Sequence, residues 1–261
     1  MTGYTLRSTV RMEWLKLRSV RSTWYLLAAF AAGLIGVALL VMSSQHWSQF
    51  DATARASFDP TNSMFTGLAF GQLLLGALGV LVVTAEFSSG MIRATFAAVP
   101  SRPLVLAAKA CVLGGLTLLA GEIVAFASFF IGQLLLRAPA PHPALGQPGV
   151  LRAVVLAGAY PALIALIGLG LGAVIRHTAG AISSVFGLMF VLSIVIQVLP
   201  NTWRWDIMRF FPDAAGRVLS VTLPGQQNPH LWSTWPQFLV TVIWAVVLVG
   251  IGGYLFRKRD A

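Results

Sequence analysis

The stretch VLRAVVLAGAYPALIALIGLGLGAVI, residues 150–175, contains a single charged side chain, Arg152, near its start. As a helix with a rise of ~1.5 Å per residue, it is long enough to cross the ~30 Å hydrocarbon core of a bilayer. A lone segment in lipid can satisfy its backbone N–H and C=O groups only within a helix. The stretch therefore predicts a membrane-spanning helix.

Apolar runs of the same kind recur on both sides of this stretch, at residues 24–42, 64–85, 104–136, 179–199 and 238–256. Together they predict an all-α, polytopic integral membrane protein whose transmembrane domain, residues 24–256, has six transmembrane helices. Only Arg176, His177 and Thr178 separate the runs at 150–175 and 179–199, which predicts a tight helical hairpin.

The composition agrees with a lipid environment. Of the 261 residues, 57% are hydrophobic and 10% are charged, whereas a soluble domain carries roughly 25% charged residues. The net charge of +10 could indicate nucleic-acid binding, but the 18 Lys and Arg residues are spread between apolar runs instead of forming one basic face. No nucleic-acid partner is expected. Cys111, the only cysteine, lies in an apolar run and can form no disulfide within the chain.

The distribution of basic residues predicts the orientation. When the chain is threaded through six spans, Lys and Arg are clearly more numerous on the side that holds the N-terminus. Because cytoplasmic flanks are enriched in these residues, both termini are expected in the cytoplasm, with residues 257–261 as a basic cytoplasmic tail. The expected location is a bacterial plasma (inner) membrane. A cleaved signal peptide is disfavoured, because the first run is longer than a typical h-region.

Residues 1–23 predict a cytoplasmic amphipathic N-terminal helix at the membrane interface. An apolar stripe recurs there with helical spacing, formed by Leu6, Val10, Trp14, Leu17 and Val20. Such a stripe can enter the headgroup region while neighbouring arginines meet lipid phosphates or a cytoplasmic partner. Simple positive-inside flanking explains the same arginines equally well.

The segment between the second and third runs predicts a short helix. Its larger side chains have i, i+3, i+4 spacing, at Met91, Ile92, Thr95, Phe96 and Val99. Prolines at positions 100 and 103 end the pattern. Such a helix either lies on the membrane or inserts into a groove of a partner, and the composition does not choose between the two.

Four stretches carry a resemblance to a known family. They are EWLKLRS at 13–19, EFSSGMIRAT at 86–95, the continuation AAVPSR at 97–102 into AAKA at 107–110, and FPDAAG at 211–216. In this order along the apolar runs, they resemble ABC-2 type transporter permeases, particularly the actinobacterial members. The resemblance covers nearly the whole chain, and residues 86–110 are its most specific part.

The resemblance implies the transmembrane half of a six-helix ABC exporter. It also implies that the helix after the second span docks on a cytoplasmic ABC ATPase subunit, with the N-terminal helix beside it. The implied ATPase-coupling residues are Glu86, Phe87, Gly90, Ile92, Arg93, Thr95 and Phe96. A second permease chain, as homodimer or heterodimer, is expected to complete the transporter within the membrane lipids. The alternative is a membrane-lying linker that has no protein partner.

The chain contains no G-x-x-x-x-G-K-[ST] loop to hold nucleotide phosphates. ATP and Mg are therefore expected on a separate ATPase subunit, with no cofactor bound by this chain. The glycine-rich stretch at 168–172 lies inside an apolar run without a preceding strand. Its glycines, like the pair Gly67 and Gly71, instead predict close helix packing.

Glu122 falls near the middle of the third run, where a carboxylate costs at least ~2.5 kcal/mol on insertion scales. It is expected to face the interior of the bundle. There it could line a substrate path, bind a cationic group or relay a proton. Equally, it could form a structural hydrogen bond to a neighbouring helix, through Gln72 or Gln197. These three residues are the candidate substrate path.

Two other functional classes remain as alternatives. An intramembrane metalloenzyme would need a pattern such as H-E-x-x-H, whereas the histidines are scattered at positions 46, 142, 177 and 230. We therefore expect no catalytic residue and no metal site. An ion-coupled carrier or channel acting alone would usually show internal repeats or several polar groups at the midplane, and neither pattern is present.

Overall fold

The computed structural model describes residues 5–45, 50–136 and 140–258. These ranges contain helices and connecting segments and no β-strand. The α-helices in chain order are α1 Leu6–Ser19, α2 Arg21–Ser44, α3 Ala52–Ala56, α4 Pro60–Met64, α5 Leu68–Ser88, α6 Met91–Ala98, α7 Arg102–Leu135, α8 Val150–Ile175, α9 Thr178–Phe186, α10 Leu192–Gln197, α11 Asn201–Met208, α12 Pro212–Val218 and α13 Thr234–Lys258. Residues 1–4 of the predicted N-terminal helix and 259–261 of the predicted basic tail lie outside the described residues.

Six helical segments are long and apolar enough to cross a membrane, and they coincide with the six predicted runs. They are α2, α5, α7, α8, α13 and the segment Thr178–Gln197, in which α9 and α10 are joined by a π-helical turn at Gly187–Val191. The predicted all-α fold with six such helices is thus confirmed, and the architecture is that of a multi-pass membrane protein. Helix α7 has 34 residues, about 51 Å of helix, so it extends beyond a ~30 Å hydrocarbon layer.

Helix α8 lies at the centre of the bundle, packed against α5, α7 and α13. In its most apolar 18-residue window 72% of the residues are buried, compared with 22% for α2 and 17% for α13. Helices α2 and α13 are as apolar as α8 although they are much less buried. The apolar character of all three helices fits a membrane span, and α8 differs in being covered by protein.

Glycines allow the backbones in this centre to approach closely. A Cβ atom on Gly168 would lie 2.1 Å from the carbonyl oxygen of Gly76, and one on Gly170 would meet the α13 backbone at 2.6 Å. Gly67 and Gly71 face α2 in the same way, with Cβ positions 3.0 Å and 2.9 Å from its atoms. The predicted packing role of these glycines is confirmed.

The two ends of the bundle differ. At the end that we call the α1/α6 end, α5 stops at Ser88 and α6 follows after Gly90, whose φ of 71° lies in the left-handed region that favours glycine. The predicted hairpin is present at the same end. Arg176 closes α8 with φ 61°, and its N–H donates to the carbonyl oxygen of Gly172 at 2.9 Å.

At the opposite end, the α11/α12 end, short helices cover the bundle. Asp59 fastens the chain after α12 to α4, since its carboxylate accepts hydrogen bonds from the backbone N–H groups of Thr222 at 2.6 Å and Leu223 at 3.1 Å. The Thr222 hydroxyl also donates to Asp59 at 2.8 Å. The buried carboxylate therefore fixes the position of α12 relative to α4.

Candidate functional site

Four charged side chains from three helices meet at the α1/α6 end. Lys109 of α7 donates from Nζ to Glu13 Oε2 of α1 at 2.6 Å and to Glu86 Oε1 of α5 at 2.7 Å. Lys16 of α1 lies 3.0 Å from Glu13 Oε1 and 2.9 Å from Glu86 Oε1. It also donates to the Thr95 hydroxyl of α6 at 2.9 Å. We call Glu13, Lys16, Glu86 and Lys109 the charge network.

The charge network is electrically neutral and largely shielded from solvent. Its two carboxylates and two ammonium groups sum to zero charge. The side chains of Glu13, Glu86 and Lys109 are 3%, 5% and 1% exposed, and only Lys16, at 23%, reaches solvent. Charges removed from water are tolerated when they are paired and hydrogen-bonded. The pairs therefore tie α1, α5 and α7 together, and Thr95 adds α6.

Helix α1 meets the bundle through one face. Thr9, Glu13 and Leu17, spaced four residues apart, are buried on it. Of the predicted apolar stripe, Leu17 belongs to this buried face, whereas Leu6 and Trp14 are exposed. The helix thus presents a partly polar face to α7 and leaves large apolar side chains uncovered by the chain.

The structure brings the predicted ATPase-coupling residues into one region but places them in different environments. Buried are Glu86, Ile92 and Thr95; half-buried are Phe87 and Phe96; exposed are Gly90 and Arg93. The inner face of α6 is thus engaged within the chain. Its outer face presents Arg93, Met91 and three alanines.

Phe87 and Phe96 pack on the end of α13. Their rings lie 5.9 Å and 5.8 Å from the buried ring of Phe256, both edge to face. The guanidinium groups of Arg102 and Arg176 lie over Phe96 and Phe87, at 5.2 Å and 5.0 Å from the ring centroids. Both arginines also donate to carbonyl oxygens in the last turns of α13. Cations at a helix C-terminus are favourable, so α13 is fixed to α6 at this end.

Glu122 does not join the other two candidate residues of the substrate path. It is half-buried on α7, where α8 passes so closely that a Cβ atom on Gly158 would lie 2.8 Å from the Glu122 carboxyl carbon. Gln72 instead accepts a hydrogen bond from the hydroxyl of Tyr160, and Gln197 donates to the Ser193 carbonyl oxygen at 3.2 Å. Among the described residues, no hydrogen-bond or ion-pair partner of Glu122 is found.

We expect Glu122→Gln to leave the unfolding midpoint unchanged or raised. The substitution keeps the shape of the side chain and removes a charge that has no partner among the described residues. Thermal unfolding of the purified protein in detergent measures the effect. A lower midpoint would show that the carboxylate has a structural partner.

Gln72 and Gln197 line the same cavity at the α11/α12 end, with a volume of about 420 Å³. Buried Tyr160 of α8 and Asp213 of α12 line it as well. The Asp213 carboxylate accepts hydrogen bonds from Ser193 at 2.8 Å and from Arg217 at 2.9 Å. Two of the three candidate substrate-path residues are therefore neighbours in a polar cavity.

Within residues 5–45, 50–136 and 140–258, no three His, Cys, Asp or Glu side chains are grouped to hold a metal ion. His177 caps α9 by accepting from the Gly180 N–H at 3.2 Å, and His230 stacks on Trp205 with ring centroids 5.3 Å apart. His46 lies outside the described residues.

A scan against protein-family models gave no match, and neither did a search of the curated proteins.

The sequence pattern does not predict the charge network. Glu13, Lys16 and Lys109 stand in it only as members of the stretches at 13–19 and 107–110 that carry the family resemblance, and Glu86 only as an implied coupling residue. One signal could have found them: Glu13 and Glu86 are among only eight acidic residues in a chain with 18 basic ones. Because acidic residues are so scarce, each one beside an apolar run is a candidate for a buried ion pair.

Proposed function

We propose that this chain is the transmembrane permease subunit of an ABC exporter in a bacterial plasma membrane. It would move a hydrophobic or amphipathic substrate, with ATP and Mg bound by a separate cytoplasmic ATPase subunit. A second permease chain, identical or related, would complete the transporter. The observation that carries the proposal is the attachment of α6 to the bundle through Thr95, the charge network and Phe256.

A coupling element has to transmit force to the spans. Helix α6 meets this need, because Lys16 of α1 bridges Thr95 and Glu86 and Phe96 packs on Phe256 of α13. A displacement of α6 would therefore act on α1, α5, α7 and α13 together. A linker lying on the membrane without a partner would not need buried charges to hold it, which favours the coupling role.

The outer face of α6 suits insertion into a cleft. It consists of Met91, Arg93, Ala94, Ala97 and Ala98, all of them exposed. The three alanines make the face narrow, and Arg93 offers a charge that can pair with a carboxylate. Helices that dock in grooves are recognised through such a face.

The topology supports a cytoplasmic location for the α1/α6 end. Helix α1 and the last turn of α13 both lie there, as both termini are expected to. Arginines are concentrated at this end, in α1, α6, the start of α7 and the hairpin. In this orientation Leu6, Trp14, Leu15 and Val20 of α1 are available to the headgroup region as an interfacial helix.

We expect Arg93→Asp and Ala94→Asp each to weaken association with the ATPase at least about tenfold, because a carboxylate would enter the docking cleft. Co-purification in detergent and ATP hydrolysis measure the effect. Phe96→Asp is a poorer test, since it would also disturb Phe256. Arg55→Asp in α3, which is exposed and lies far from α6 along the bundle, is the matched control.

Two results would contradict the proposal. Unchanged association of both variants would remove the docking role of α6. Flux driven by a proton or sodium gradient through the chain alone would instead favour an ion-coupled carrier.

A further inference from the structure

The cavity at the α11/α12 end is built from elements that meet only through the fold. Gln72 comes from α5, Tyr160 from α8, Ser193 and Gln197 from α10, and Asp213 from α12. Its volume of about 420 Å³ lies in the range of ~300–1,000 Å³ that is typical of small-molecule sites. Helix α6 lies at the other end of α5, so the cavity is separate from the proposed coupling region.

Asp213 and Arg217, one helical turn apart on α12, place a carboxylate and a guanidinium side by side in the cavity lining. Ser193 and Arg217 both bind the same carboxylate oxygen, Oδ2 of Asp213. Among the described residues, no hydrogen-bond donor reaches Oδ1 of Asp213, and no acceptor reaches Nη1 of Arg217. Asp213 is 9% exposed as a residue, so most of its surface has been removed from solvent. The lining therefore offers a ligand one anionic atom on the largely buried Asp213 and one cationic group on Arg217, whose side chain is 48% exposed.

Two side-chain amides of the lining also have atoms without a hydrogen-bond partner among the described residues. Asn62 Oδ1 accepts from the Ser220 hydroxyl at 2.7 Å, and Gln197 Nε2 donates to Ser193. The other amide atoms of Asn62 and Gln197 have no partner among the described residues. They add one donor and one acceptor to the lining.

The lining also has an apolar part, which includes an irregular turn. Phe65, at the end of α4, and Leu68, the first residue of α5, belong to it, together with Met189 and Phe190 of the π-helical turn. One inserted residue rotates the following helix by ~100°, so the turn changes the direction in which Ser193 and Gln197 face. Such turns are frequent at functional sites.

We propose that this cavity binds an amphipathic ligand through a zwitterionic headgroup, with its cationic group at Asp213 and its anionic group at Arg217. A zwitterion fits because its dipole can align antiparallel to the Asp213–Arg217 pair, whereas a single charge meets attraction and repulsion together. The apolar body of the ligand lies against Phe65, Phe190 and Met189.

This proposal narrows the substrate class of the proposed exporter, and it rests on that function only for the step from binding to transport. Two sources share the headgroup chemistry: a free amphiphile and the headgroup of a bilayer lipid. The two acyl chains of a lipid would not fit within the cavity, so a lipid could place only its headgroup there.

The test uses the full chain in nanodiscs of phosphatidylglycerol and three probes with the same octyl tail: octylphosphocholine, octyltrimethylammonium and octyl sulfate. Equilibrium dialysis against empty nanodiscs measures specific binding. We expect saturable binding of octylphosphocholine, about tenfold tighter than that of either singly charged probe. Equal affinity for the three headgroups would overturn the ligand class.

Ala69→Trp tests the place of binding without touching the ion pair. Ala69 is an exposed residue of the cavity lining, so an added indole occupies space there. We expect octylphosphocholine binding to fall about tenfold or more, while Ala32→Trp on the exposed side of α2 leaves binding unchanged. Equal binding by the two variants would exclude the cavity.

Two further comparisons separate sources and proposals. In phosphatidylcholine nanodiscs, weaker probe binding identifies the lipid headgroup as a competitor, and unchanged binding identifies a free amphiphile as the ligand. Loss of binding in Ala69→Trp with normal ATPase association supports the cavity independently of coupling. If the chain bound the probe normally but associated with no ATPase, the proposed ligand site would stand and the proposed exporter function would be rejected.

Discussion

Lys109→Met is expected to lower the free energy of unfolding by about 3–5 kcal/mol, because it leaves a buried carboxylate uncompensated. Lys109 is the most deeply buried member of the charge network, and its ammonium binds both Glu13 and Glu86 at 2.7 Å or less. Methionine fills a similar volume, so the loss reports the charge rather than a cavity. Detergent-solubilised protein unfolded by heat or by increasing dodecyl sulfate measures the change.

Two comparisons separate this explanation from simple loss of packing. Lys16→Met removes the same charge from a side chain that is 23% exposed, where water can replace it, and a smaller loss is expected. Lys109→Met combined with Glu86→Gln leaves Glu13 paired with Lys16 and restores neutrality, so most of the stability should return. Equal losses for the two lysine variants, or no recovery in the double variant, would contradict the role of the charge network.

The effect of Lys109→Met on α1 is equally specific. Helix α1 contacts the bundle through Thr9, Glu13 and Leu17, and only Glu13 among these binds charged groups. Relative to the unsubstituted protein, we therefore expect Lys109→Met to increase the rate of hydrogen exchange in α1 more than in α8. The comparison can be made within one sample.

The bundle could be predicted from hydropathy because lipid imposes one simple requirement on the backbone. Each apolar run had to be a helix, and the six runs coincide with six long helices. The glycines of α8 could be interpreted as packing residues because an apolar run has no strand to support a nucleotide loop. The short helix α6 followed from the spacing of Ile92, Thr95 and Val99, which the structure buries.

The polar contacts could not be predicted in the same way, because they join residues far apart in the chain. Glu13 and Lys109 meet through the packing of α1 on α7, and no local spacing pairs them. Glu122 shows the converse: its depth in an apolar run suggested a partner such as Gln72, but Tyr160 binds Gln72 instead. Hydropathy locates a polar residue along the membrane normal and leaves its direction around the helix undetermined.

The contact between α5 and α8 depends on the absence of side chains at a few positions. A Cβ atom on Gly79 would lie 1.9 Å from the carbonyl oxygen of Ala165 and 2.9 Å from the backbone nitrogen of Leu169. Both neighbours are backbone atoms, so no rotamer change can relieve the overlap. Because α8 also packs on α7 and α13, it cannot retreat from α5 without disturbing those contacts.

Gly79→Ala is therefore expected to lower the free energy of unfolding by about 3 kcal/mol or more, at the upper end of the range for overpacked sites. Gly33→Ala on α2 is the matched control, since a Cβ atom there meets nothing within 4 Å, and no loss is expected. The same unfolding assay measures both variants in parallel. If Gly79→Ala were as stable as Gly33→Ala, a Cβ atom on residue 79 could not lie 1.9 Å from the Ala165 carbonyl oxygen. The close packing of α5 on α8, and with it the central position of α8, would then have to be revised.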